Sequence, residues 1–211
     1  MKILAHDRFP HLSTRRNLLD LFREFTESSV EFIHYDNGYR TWKYTYRQVA
    51  LAANHFALRL FESGVHQGDK VIFWSENRPE WVAAFWACVQ IGAIVVPIDY
   101  RTSLTFLRHV QEIVDARLIL IGEEVPMVPW VSQPLVWRLA ELQSATKDQE
   151  VPISPINEDD VVEIVFTSGA TGATPKASRS PIGIFSRIMC HRPVSFSPTG
   201  NGSAPYCHSA F

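Results

Sequence analysis

Residues 81–98 read WVAAFWACVQIGAIVVPI, with Gln90 as the one strongly polar side chain in the run. A stretch this apolar has two outcomes. Either it spans a membrane, which takes about 20 residues of helix, or it is buried inside a folded core. Gly92 stands mid-run, Pro97 stands near its end, and AIVVPI is β-branched and too short for a helix. The letters therefore predict a buried helix that hands over near Gly92 to a buried strand. A strand without polar alternation belongs in a sheet covered on both faces, as parallel sheets are.

The flanking residues repeat the pattern. KVIFWS, from Lys70, reads as an apolar strand. Pro79 follows at a helix start, where its missing N–H costs nothing. After AIVVPI come SLTFLRHVQEIV, a helix with Ser103 as cap, and RLILIG, a third strand. Strands alternating with helices of this length predict right-handed crossovers and an α/β fold with a mostly parallel sheet flanked by helices. Residues 123–157 are punctuated by prolines and read as a surface connection with a short helix near 134–142. Asp159 and Asp160 then end the connection ahead of another strand, VVEIVF.

Upstream, Leu18, Leu19, Phe22 and Phe25 recur at helical spacing and predict an amphipathic helix over 14–27. Two alternating runs flank Asp36-Asn37-Gly38, and Asn-Gly there predicts a tight hairpin turn with positive φ at both central residues. Thr45 can cap a helix running to about Glu62, with Val49, Ala53, Phe56 and Leu60 as its buried stripe and Gly64 as its stop.

The bulk numbers narrow the class. The chain has 211 residues, 46% hydrophobic and 20% charged, with a net charge of -2. A nucleic-acid module would show a basic face, so none is expected as partner. Cys88, Cys190 and Cys207 are too few for a disulfide framework and point to a reducing compartment, hence the cytoplasm. The first residues, MKILAHDRFPHLSTRR, lack an apolar core and predict no signal peptide.

The chemistry is concentrated at the end of VVEIVF, where TSGATGATPK follows directly. A glycine-rich turn at the carboxyl end of a strand is where open α/β sheets place ligands. The hydroxyls of Thr167, Ser168 and Thr171 can donate to phosphate oxygens. Gly169 and Gly172 let backbone N–H groups, that of Ala170 among them, turn inward as an anion nest. Lys176 adds a positive charge, and Pro175 stiffens the approach to it. The spacing is neither GxxxxGK[ST] nor GxGxxG. Read alone, the segment is equally a surface turn built from Ser, Thr and Gly.

FTSGATGATPK resembles the phosphate loop of the AMP-forming adenylating enzymes, the group of acyl-CoA synthetases, peptide-synthetase adenylation domains and firefly luciferases, whose loop reads [YF]TSG[ST]TGxPKG. The resemblance extends through TYRQVALAANHFALRLFESGVHQGDKVIFWSENRPEWVAAFWACVQIGAIVVPID and covers about residues 14–176. It implies an incomplete N-terminal subdomain of the adenylating-enzyme fold. It also implies a chemistry: a carboxylic acid, nearest in flavour a fatty acid, is activated with MgATP to an acyl-adenylate and then passed to coenzyme A. Thr167, Ser168, Gly169, Ala170, Thr171, Gly172 and Lys176 are then the nucleotide-binding residues. Partners would be the acid, ATP and CoA, with peripheral membrane contact through the acyl substrate. No catalytic residue and no metal ligand is assigned. Two departures stand out. Ala173 and Thr174 occupy a gap the family fills with one residue, and Ala177 replaces a glycine.

Residues 177–211 change character. They hold seven serines, four prolines, three arginines and no acidic residue, without a helical or strand period. Loss of one G from a glycine codon after Lys176 explains this. Restoring the frame allows V-T-I-T-H-R-N-I, in register with the family's continuation. The expected division is a partial AMP-binding domain over 1–176 and an irregular, out-of-frame, disordered tail over 177–211, with the chain alone inactive. On that reading the paired Cys190-His191 and Cys207-His208 are chance and not a zinc set, whose spacing they lack. Cys88 reads as a packed thiol. Arg101 and Thr102 follow a strand end, where the letters give no further support for a ligand contact. Two other function classes fit the letters: a non-catalytic nucleotide- or partner-binding module, and a phosphotransferase with an atypical loop.

Overall fold

The computed structural model describes residues 2–3, 17–127, 134–142, 151, 154–167 and 176–181. A small antiparallel sheet is built from β1 (Lys2–Ile3), β2 (Glu31–Asp36) and β3 (Thr41–Thr45), in that order. The main sheet has six strands in the order β7-β6-β4-β5-β8-β9. These are β4 (Lys70–Ser75), β5 (Ile94–Asp99), β6 (Leu118–Ile121), β7 (Leu135–Arg138), β8 (Val161–Thr167) and β9 (Lys176–Pro181). Every pairing from β7 to β8 is parallel; β9 runs antiparallel to β8.

Strand alternation assigns the helices to faces. In β4, Val71 and Phe73 join α1 (Leu18–Phe25), α2 (Tyr46–Glu62) and α3 (Pro79–Ile91) in the larger core, while Ile72 and Trp74 face α4 (Leu104–Val114) on the opposite side. The central strands are thus buried on both faces, which explains their continuous apolar letters.

The run at 81–98 resolves into the end of α3 and the start of β5. Gly92 closes α3 at φ 72°, and its N–H and that of Ala93 return to the last turn of the helix. A Cβ at Gly92 would stand 2.8 Å from Gln67 Cγ, so the turn needs glycine on both counts. Among the described residues no helix is long and apolar enough to cross a membrane.

Most predicted elements sit within a residue or two of their letters. Four differ. The first helix starts at Leu18, because the Asn17 side chain takes the Asp20 N–H at 3.1 Å and caps it there. The hairpin turn is longer than expected: β2 ends at Asp36, β3 starts at Thr41, and Gly38 alone has positive φ. Asn37 Oδ1 accepts from the N–H groups of Tyr39 and Arg40, holding the wider loop. The helix expected near 134–142 is strand β7 followed by a 3-10 turn, Leu139–Leu142, because LVWR pairs along the open edge of β6. Finally, regular structure continues past Lys176, since β9 pairs along β8 as far as Pro181. Residues 182–211, with Cys190, His191, Cys207 and His208, lie outside the described residues.

Candidate functional site at the carboxyl edge of the sheet

β8 ends at Thr167, the first residue of TSGATGATPK, the expected phosphate loop. Thr167 and Lys176 are register partners across the β8–β9 hairpin. The two ends of the motif are therefore drawn together, and the intervening segment, with its extra residue, has both feet fixed by one ladder. Ser168, Gly169, Ala170, Thr171 and Gly172 lie outside the described residues; Thr167 and Lys176 are placed by their backbone alone.

β8 is also an unusual strand within. Glu163 is half-buried between register partners Val95 of β5 and Ser180 of β9. Burial pushes its carboxyl up to about 6. The sequence signal was visible, a lone carboxylate inside VVEIVF, but its burial depends on β5 lying beside β8.

Beside the loop's foot, the end of β5 supplies Asp99, Arg101 and Thr102. With Pro97, Ile98, Phe106 and Phe166 these line a hollow of about 450 Å3. Arg101 grips Asp99 as a fork, Nε to Oδ1 at 3.0 Å and Nη2 to Oδ2 at 2.6 Å, and the Arg101 N–H also donates to Oδ1. The guanidinium hydrogen bond holds the Asp99 carboxyl below its ordinary range.

A second polar cluster stands at the end of β4. Arg78 bonds Glu123 at 2.8 Å, Glu80 at 3.3 Å and Glu76 at 3.4 Å, with its guanidinium over the Tyr35 ring. Burial works against the charge of Arg78, but the carboxylates of Glu80 and Glu123 outweigh it and hold the group above its usual value. Glu76 also accepts the Glu123 N–H at 3.0 Å, and a Cβ at Gly122 would fall onto its carboxylate. This cluster ties the β4–α3 turn to the end of β6. Among the described residues no group of three or more His, Cys, Asp or Glu could hold a metal ion. Cys88 is buried, and burial pushes its thiol up, as for a packing residue.

An open α/β sheet with a glycine-rich loop at a strand's carboxyl edge defines a broad class of ligand-binding folds. Comparison narrows it. Residues 24–177 match the AMP-binding enzyme family, and the chain belongs to that family. It is 29% identical to a feruloyl-CoA synthase from Amycolatopsis over 61% of this chain and 26% of that protein. It is 29% identical to a 2-succinylbenzoate–CoA ligase from Oceanobacillus iheyensis over 66% of this chain and 29% of that protein. NpsA-ThdA, an artificially fused adenylation–PCP di-domain NRPS from Klebsiella oxytoca, superposes with a TM-score of 0.68 at 25% identity, covering 82% of this chain and 34% of that one. The chain thus spans roughly a quarter to a third of the length of the proteins it matches.

Proposed function

We propose that this chain is the phosphate-holding N-terminal portion of an AMP-forming acid–thiol ligase. In that reaction a carboxylate oxygen attacks the α-phosphorus of ATP and pyrophosphate leaves, giving an acyl-adenylate. The sulfur of coenzyme A then attacks the acyl carbon and AMP leaves, giving the thioester. The contribution of the loop is electrostatic: the hydroxyls of Thr167, Ser168 and Thr171, the amides around Gly169, Ala170 and Gly172, and the Lys176 ammonium hold the outer phosphates and offset charge gathering on the departing pyrophosphate. The single observation that supports the reading is the Thr167–Lys176 register pair, which brings the two ends of the motif together at the carboxyl end of β8.

The acid is proposed on kinship. The relatives' names include aryl acids, so a fatty acid is our choice within a wider set of carboxylates. Coenzyme A and Mg2+ rest on the family as well. The described residues offer no metal-binding group, and no step is assigned to a protein-held ion.

Calorimetric titration of the chain with ATP and with inorganic tripolyphosphate tests the loop. Binding of both is expected, weakened about tenfold by Lys176→Ala, as for loss of one charge-assisted contact. Equal affinity of wild type and variant would overturn the reading. A second reading, that residues 1–211 bind nucleotide without turning it over, is favoured by the share of the relatives' length that they span. It predicts pyrophosphate release, with ATP and a fatty acid, no greater than that of Lys176→Ala. Release well above that control would exclude it.

A further inference from the structure

We propose that Asn37 is a modification site: the β2–β3 turn promotes loss of ammonia from its side chain and leaves an aspartyl or isoaspartyl residue at 37. This is independent of the phosphate loop. Asn37 precedes Gly38, and residues 36–40 are all exposed. Gly38 has no side chain to shield its nitrogen, and a Cβ there would meet nothing within 4 Å. Water therefore has access, and departing ammonia has a way out.

The reaction starts when the Gly38 nitrogen attacks Cγ of Asn37. That nitrogen must give up its proton, and the carboxamide oxygen must take negative charge. The turn supplies a group for each. Asp36 Oδ1 accepts the Gly38 N–H at 2.7 Å, so a carboxylate already stands where the proton must go. Thr41 Oγ1 donates to Asp36 Oδ2 at 2.7 Å and fixes the carboxylate in that direction. Asn37 Oδ1, the oxygen that gains charge, accepts the N–H groups of Tyr39 at 3.1 Å and Arg40 at 3.0 Å. Two backbone donors on one carbonyl oxygen are the arrangement of an oxyanion hole. Asparagine bonds of this kind also close ordinary turns. Here the acceptor and the donors converge on the two atoms whose charge must change.

The atoms balance without an oxidant or reductant. The Gly38 N–Cγ bond forms and the Cγ–Nδ2 bond breaks. The Gly38 proton, relayed by Asp36, leaves on the side-chain nitrogen as ammonia, and a succinimide ring remains. Water then opens the ring. Cleavage of the new N–Cγ bond gives aspartate; cleavage of the old peptide bond gives isoaspartate, whose main chain runs through the former side chain. Either product adds a negative charge beside Asp36. Isoaspartate also lengthens the chain inside the turn that the Asn37 N–H closes on the Arg40 carbonyl.

The test incubates the full chain in neutral buffer, with and without unfolding concentrations of guanidinium chloride. Peptide mass spectrometry follows conversion at residue 37, and enzymatic methylation reports the isoaspartyl share. A second Asn-Gly pair, Asn201-Gly202, is present in the same chain, and in denaturant both pairs mark the unassisted rate. In native buffer Asn37 is expected to react at least about tenfold faster than in denaturant. Asp36→Ser, which keeps an oxygen at the turn but no carboxylate, should slow Asn37 to about its denatured rate and leave Asn201 unchanged. Asp36→Glu, which restores a carboxylate, should recover part of the rate. Two outcomes overturn the proposal. If Asn37 in the native wild-type chain reacts no faster than in denaturant, the turn gives no assistance; this arm needs no variant to fold. If Asp36→Ser reacts as fast as wild type in native buffer, the carboxylate takes no proton.

Discussion

Glu163 shows how a single carboxyl inside an apolar strand sets a pH dependence. Its folded-state value, about 6, lies above the ordinary 4.5, because burial disfavours the charge. A raised carboxyl favours folding while protonated. Its contribution is complete below about 4.5 and is lost as pH rises through about 6. Above that range the chain keeps a half-buried negative charge in β8. Glu163→Gln removes it, and the variant should be more stable than wild type at pH 7 by about 1 kcal/mol, the difference vanishing near pH 4. Chemical denaturation of both proteins across pH 4–8 measures this. A constant difference across that range would show that the effect is packing and not titration. Glu31, Asp36 and Asp99 shift the opposite way, each held down by hydrogen-bonding partners, so the wild-type profile alone would mix the signs. The difference from Glu163→Gln isolates one group.

At the scale of elements, α2 is the clearest case of local letters settling local structure. Thr45 Oγ1 accepts the Gln48 N–H at 3.2 Å, and Gln48 Oε1 accepts the Thr45 N–H at 2.8 Å, a reciprocal capping box. Thr45→Ala should cost about 1 kcal/mol, or roughly 2–4 °C in Tm for a chain of this size. Adding Gln48→Ala should cost less than its own single effect, because its partner is already gone; full additivity would deny the box. The stripe and the stop of α2 were readable for the same reason: Phe56 and Leu60 recur at the helical period, and Gly64 ends the run at φ 85°. β7 and β9 were not readable. LVWR is too short to carry a period, and KASRSP has none; each is a strand because a neighbour offers an unpaired edge, β6 in one case and β8 in the other. The site divides along the same line. The loop motif is contiguous, so its letters announce it. The hollow that joins Arg101 to Phe166, and the burial of Glu163, exist because β5 lies beside β8, strands far apart in the chain.

For the whole molecule, the decisive boundary is where the sheet stops gaining from the chain. β9 gives β8 an antiparallel partner and fixes Lys176 opposite Thr167, although its letters after Lys176 fit an out-of-frame reading. Two shortened chains separate these roles. A chain ended at Pro181 keeps β9 whole. If residues 182–211 are out of frame, it should melt within about 2 °C of the full chain and bind tripolyphosphate equally well. A chain ended at Lys176 keeps the ammonium but loses the strand that holds it. Removing β9 strips the ladder bonds of β8 and leaves its edge open, a loss of about 2 kcal/mol, or roughly 4–8 °C. It also invites edge-to-edge association that rises with concentration. Tripolyphosphate affinity should drop in this chain even though every loop residue is present, because Lys176 is no longer held across from Thr167. Equal melting and equal affinity for the two shortened chains would mean that β9 contributes nothing and that the loop positions itself. A lower Tm for the chain ended at Pro181 than for the full chain would mean that the last thirty residues carry native structure, against the reading of a shifted frame.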